Sequence, residues 1–194
     1  MAEIKLVPRS EVDPSITWDM TLLYPSDEAF YAELEKLKKE MKAFKEKYEN
    51  QLGDLEVLDE AIRKYEAIEL AVYRASHYAE LPMTVDRLNP KVVENATAFE
   101  AVSVSYAENM SFVMTELISL DEAFLNQFVA EKRPDLAYFV EKVIRQKKHT
   151  LSKDAEQVLS NLSSLPSFYQ LYEVTKHEDM QFESFEANGK TLEN

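Results

Sequence analysis

The segment SDEAFYAELEKLKKEMKAFKEKYENQLG, residues 26–53, decides the fold class. Its apolar residues Phe30, Leu34, Leu37, Met41, Phe44, Tyr48 and Leu52 recur in steps of four and three. That spacing lines one side of an α-helix for about seven turns. Ser26 is a good N-cap, and Asp27 and Glu28 put acids where the helix dipole favours them. The run from Lys36 to Lys47 alternates with Glu35, Glu40 and Glu46, which predicts a solvated face laced with weak i,i+4 pairs. Gly53 is expected to end the helix.

Working outward, a second helix is predicted from about Leu55 to Ala79, with Leu58, Ile62, Tyr65, Ile68 and Val72 inward. The short link folds it back on the first as an antiparallel hairpin. Leu81-Pro82-Met83 breaks it. Asn89 caps a third helix with Pro90 at its first position. Its predicted stripe is Val93, Ala96, Phe99, Val102, Tyr106, Met110, Val113 and Leu117. Asp121 caps a shorter helix with Phe124, Leu125 and Phe128. Arg133-Pro134 separates that from one carrying Leu136, Phe139, Val140, Val143 and Ile144. Arg145, Lys147, Lys148 and His149 then place cations in a last helical turn, and Ser152 caps the next helix, to about Leu165. Pro166 begins a further helical piece.

At the other end, residues 1–25 read as an extended lead-in punctuated by Pro8, Pro14 and Pro25, with Trp18 and Tyr24 as aromatics able to pin it to the body and Trp18 read as a packed anchor. Met180 to Glu186 alternates like a strand, Asn188-Gly189 is a type I′ turn signal, and Lys190 to Leu192 would return. The expectation is therefore an all-α chain. Long antiparallel helices form a bundle-like array, and a short β-hairpin closes the C-terminal end. The expected divisions are the lead-in at 1–25, the long-helix hairpin and third helix at 26–119, and a shorter-helix region of the same lobe at 120–178. A hairpin start at 179–194 reads as cut short.

The 194 residues carry a formal charge of −14, which opposes nucleic-acid binding through phosphate neutralisation. The chain has no cysteine, which excludes disulfides and thiolate chemistry and fits a cytoplasmic setting. The first residues lack a secretory pattern, and no apolar run approaches a membrane span. With Gly53 and Gly189 the only glycines, Gly-rich phosphate loops are excluded.

Catalytic chemistry is sought without result. A zinc peptidase of the H-E-x-x-H type needs two histidines one helical turn apart and a glutamate to polarise water. His77, His149 and His177 offer no such pair, and His177-Glu178-Asp179-Met180-Gln181 has Gln in the second ligand's place. The residues three before each histidine are Arg74, Gln146 and Val174, so the Glu-x-x-His element of di-iron bundles is missing too. His77 reads as a structural histidine ahead of a substrate-facing one. The Arg145, Lys147, Lys148 and His149 cluster reads as helix capping ahead of anion binding. Tyr65, Tyr73, Tyr78 and Tyr106 read as packing residues ahead of a peptide-channel lining. The sequence yields no catalytic, cofactor-binding or metal residue.

Three segments carry a resemblance. Arg145, Lys147, His149, Leu151, Ser152, Glu156 and Leu159 follow an R-x-K-x-H-x-L-S-x-x-x-E-x-x-L pattern. Thr17 to Phe30 reads TWDMTLLYPSDEAF, and Asp179-Met180-Gln181-Phe182 precedes Asn188-Gly189. Together they resemble the N-terminal region of the oligoendopeptidase F family, thimet-oligopeptidase-like zinc metallopeptidases; Met20 stands where that family commonly has Leu. The resemblance implies a non-catalytic helical portion that forms one wall of a substrate channel. It also implies a C-terminal catalytic portion farther along the chain, bearing zinc and hydrolysing oligopeptides. The segment alone is then expected to bind no catalytic zinc and cleave nothing, with no nucleic acid or membrane as partner. The alternative, a free-standing helical interaction module, fits composition and periodicity equally well.

Overall fold

In the computed structural model the described residues are 11–149, 172, 175, 184–187 and 190–192. The chain divides into two units, 1–148 and 149–194. In the first, α1 (Asp27–Tyr48) buries the predicted stripe from Phe30 to Tyr48, and Ser26 caps it by accepting from the Ala29 amide at 3.3 Å. α2 (Leu55–Glu80) is capped by Asp54, which accepts from the amides of Glu56 and Val57. α3 (Pro90–Met110) is capped by Asn89. These three helices pack on one another around α1's stripe. α4 (Phe112–Ser119), α5 (Glu122–Glu131) and α6 (Ala137–Lys147) follow; α6 packs on both α4 and α5. The described part of this unit consists of helices joined by turns, bends and irregular backbone.

Five expectations are corrected. Gly53 does not end α1. The helix stops at Tyr48, and the left-handed residue is Asn50 at φ 64°. Asparagine tolerates that conformation at a helix C-terminus, and the Asn50 amide donates to Glu116 Oε1 on α4 over 2.5 Å.

The third helix does not run unbroken to Leu117. It is interrupted at Ser111, whose φ −60° and ψ −26° stay helical. Asn109 and Thr115, on either side, each bond the carbonyl four residues back, which competes with the ladder and bends helices. Along α3, Val93 is exposed and Asn95 is buried, so the stripe tilts to admit a polar residue.

The lead-in is not uniformly extended. It contains 3₁₀ turns at Pro14–Ile16 and Met20–Leu22, the second capped by Asp19. Trp18 is no packed anchor, being 86% exposed. Tyr24 takes that part, buried edge-on to Phe30 and Tyr78 with ring centroids 5.6 and 5.3 Å away.

Among the described residues of the second unit, Phe185–Ala187 and Lys190–Leu192 pair antiparallel. The Asn188-Gly189 turn expected between them lies outside the described residues, as do the helix expected to about Leu165 and, apart from Tyr172 and Thr175, which are helical, the piece after Pro166.

Candidate functional site

Two features of the first unit hold polar or exposed groups that packing alone does not explain. One is a groove of ≈ 550 Å³ between the lead-in and the α2–α3 connection. Ile16, Trp18 and Met20 form one wall, and Leu81, Pro82 and Val85 form the other. Local bonds fix both walls. Asp19 accepts from the Thr21 amide at 2.9 Å and the Thr21 hydroxyl at 2.6 Å. Arg74 on α2 donates to the Leu23 carbonyl at 2.7 Å and lies over the Tyr24 ring. Opposite, Thr84 donates to the Leu81 carbonyl, and Asn89 donates to Asp86 while capping α3. Asp86 is a carboxylate in an otherwise mainly apolar lining. Such a groove can receive apolar side chains.

The second feature is a partly buried polar cluster where α1, α2 and α3 meet. Asp27 Oδ1 accepts from Tyr78 Oη and from Asn95 Nδ2, each at 2.9 Å. Tyr31 donates to Asn95 Oδ1 at 2.6 Å, and Lys91 donates to the Tyr31 oxygen at 3.2 Å while standing 3.5 Å from Asp27. Burial pushes the Asp27 carboxyl up, but the bonds from Asn95 and Tyr78 and the Lys91 charge outweigh it and hold it below the usual range. Burial, then the bond to Asp27, pushes the Tyr78 hydroxyl up to about 12. Donors and acceptors are matched here, which is the signature of a clamp.

Of the sequence candidates, His77 is exposed at the end of α2, with Nδ1 2.7 Å from the Tyr73 carbonyl and its ring stacked on Tyr73. Arg145 pairs with Glu141, and Lys147 donates to the Leu120 carbonyl between α4 and α5. Both therefore act in helix and corner structure. The Tyr65 and Tyr106 hydroxyls lie 3.0 Å apart, and Tyr106 donates to Glu69. Burial, then that bond, pushes the Tyr106 hydroxyl up. Tyr73 is exposed. His149 is exposed as well, and residues 177–181 lie outside the described residues. No group of three or more His, Asp or Glu among the described residues could hold a metal. None of the described helices is long and apolar enough to cross a membrane.

The sequence reading missed the roles of Asp27 and Asn95. An asparagine one step before the predicted inward Ala96 was the available signal. The groove joins residues far apart in sequence and gave none.

A family model described as Oligopeptidase F matches residues 116–182, from α4 through α5 and α6 and beyond. The oligoendopeptidase F homolog of Borreliella burgdorferi is 25% identical over 91% of this chain and 30% of its own length. Oligopeptidase PepF of Bacillus subtilis is 28% identical over 95% of this chain and 28% of its own. The chain is similar to the N-terminal region of the oligoendopeptidase F family. It spans less than a third of these oligoendopeptidase F relatives. The fold agrees with a crystal structure of a putative peptidase from Chlamydophila abortus, at a TM-score of 0.66 and 23% identity, covering 97% of this chain and 33% of that one.

Proposed function

We propose that this chain is the N-terminal, non-catalytic helical portion of an oligoendopeptidase F-like zinc metallopeptidase. The observation that carries the reading is coverage. Relatives bearing the oligoendopeptidase or oligopeptidase name match 91% and 95% of this chain, yet only 30% and 28% of their own length. On this reading a C-terminal catalytic portion supplies the zinc, the H-E-x-x-H helix and the hydrolysis of short peptides in the cytoplasm. The helices of 26–148 form a wall of the substrate channel. The sequence has no H-E-x-x-H, and among the described residues no group of three or more His, Asp or Glu could hold zinc. The chain contributes shape and support, and no catalytic residue.

The test is to mix the purified 194-residue chain with zinc and fluorogenic oligopeptides. No stoichiometric zinc and no cleavage are expected. One zinc per chain together with peptide turnover would refute the non-catalytic assignment.

A further inference from the structure

We propose that the groove beside Trp18 is the seat of the catalytic portion of the longer chain, an inference that rests on the function proposed above. Trp18 is the chain's single tryptophan and lies inside the TWDMTLLYPSDEAF segment. It is nonetheless 86% exposed, with Ile16 at 77% and Val85 at 60% beside it in the groove. A tryptophan offers roughly 150–250 Å² of burial, so leaving one bare beside other apolar side chains marks a contact made with something else. The segment is not a loose tail. Asp19, Arg74 and the buried Tyr24 hold it in place, so the ring is presented on a fixed backbone.

The other flank of the bundle contrasts with this. The outward side of α1 pairs Lys36 with Glu33 and Lys38 with Glu35, the pattern of a face meant for water. The occupant follows from length. The relatives named above extend over three times the stretch this chain covers, so most of their mass is available to cover the groove. The matching surface should be apolar, with a cation opposite Asp86.

Because the tryptophan is single, a chain labelled with fluorotryptophan gives one fluorine NMR signal that reports Trp18 alone. The probe is the part of Bacillus subtilis PepF beyond the stretch matched here, expressed separately and shown to melt cooperatively. Complex formation by sedimentation, together with a shifted Trp18 signal and loss of its solvent-isotope effect, is expected. Val85→Glu should weaken that complex at least ~10-fold. A complex that leaves Trp18 unchanged would overturn the groove assignment and keep the proposed function. No complex at ~100 µM would overturn the groove assignment and leave the proposed function to the zinc and peptide assay above. A concentration-dependent Trp18 shift without the probe would overturn the proposal in favour of a second copy of this chain.

Discussion

Tyr78 on α2 donates its hydroxyl to Asp27, in the first turn of α1, over 2.9 Å. The same carboxylate oxygen takes Asn95 of α3, so one side chain ties three helices together. Replacing it leaves two partly buried donors without their acceptor. Asp27→Ala should cost about 1–3 kcal/mol in urea unfolding, the range for stranding buried polar groups. A loss within 0.3 kcal/mol, on the order of measurement scatter, would show the cluster to be solvated and energetically idle.

The pH dependence follows from the same pair. The Asp27 carboxyl is held low in the folded chain, so its contribution is complete above the unfolded value of about 3.9 and is lost as pH falls through the folded one. Tyr78 is raised to about 12. Its contribution is complete below the unfolded value of about 10 and is lost as pH rises through the folded one. Asp27→Asn should flatten part of the acid limb of a stability–pH curve, and other lowered carboxyls such as Asp135 should keep the rest. Tyr78→Phe should flatten part of the alkaline limb, and Tyr65 and Tyr106, also raised, should keep the remainder. Unchanged limbs in both variants would contradict the assignment.

The α1–α2 link offers a backbone test. Gly53 is outside the left-handed region, and a Cβ there meets nothing within 4 Å. Gly53→Ala should be neutral or stabilising by about 0.4–1 kcal/mol, through the unfolded chain's lost freedom. Asn50 sits at φ 64°, where a β-branched side chain is strained. Asn50→Val should therefore destabilise, by roughly 1–3 kcal/mol. Thermal melts of the two variants should move in opposite directions, or Gly53→Ala not at all.

Exposure separates two aromatic residues that sequence alone treats alike. Phe30 is fully buried, so Phe30→Ala should cost about 3–5 kcal/mol. Trp18→Ala should stay within about 0.5 kcal/mol, because the isolated chain buries little of that ring. A large loss at Trp18 would mean that the ring packs within this chain.

Arg133 is 6% exposed and bridges Glu66 of α2 and Asp135, with its Nη2 2.8 and 2.7 Å from them. Those two bonds push the guanidinium pKa up, Asp135 ahead of Glu66. Both carboxylates are open to water, with side chains 47% and 60% exposed, so they rehydrate when the cation goes. Arg133→Ala should cost about 1–3 kcal/mol, below the ~3–5 kcal/mol of a pair buried on both sides. Arg133→Met should recover part of this by keeping the stem's packing.

The helical architecture was legible because its signals are local. Ser26, Asp54, Asn89 and Asp121 each sit immediately before the helix they cap. The stripe from Phe30 to Tyr48 is buried as its spacing requires. What sequence could not give depends on neighbours distant in the chain. Nothing near Trp18 in sequence says whether another element covers it. Asn95 is a core position only because Asp27 and Tyr31 arrive there from α1. Gly53 is the expected end of the first helix because glycine enters the left-handed region without strain, yet Asn50, three residues earlier, takes that conformation. The histidines illustrate the converse: their spacing excludes an H-E-x-x-H pair within these residues whatever the fold.

The central claim is that this chain is the opening portion of a longer peptidase, and the coding frame past Asn194 tests it most directly. A frame that continues into an H-E-x-x-H helix, with a further glutamate ligand beyond it, is the predicted result. A stop codon directly after Asn194 would contradict the claim and leave a free helical module whose groove serves some other partner.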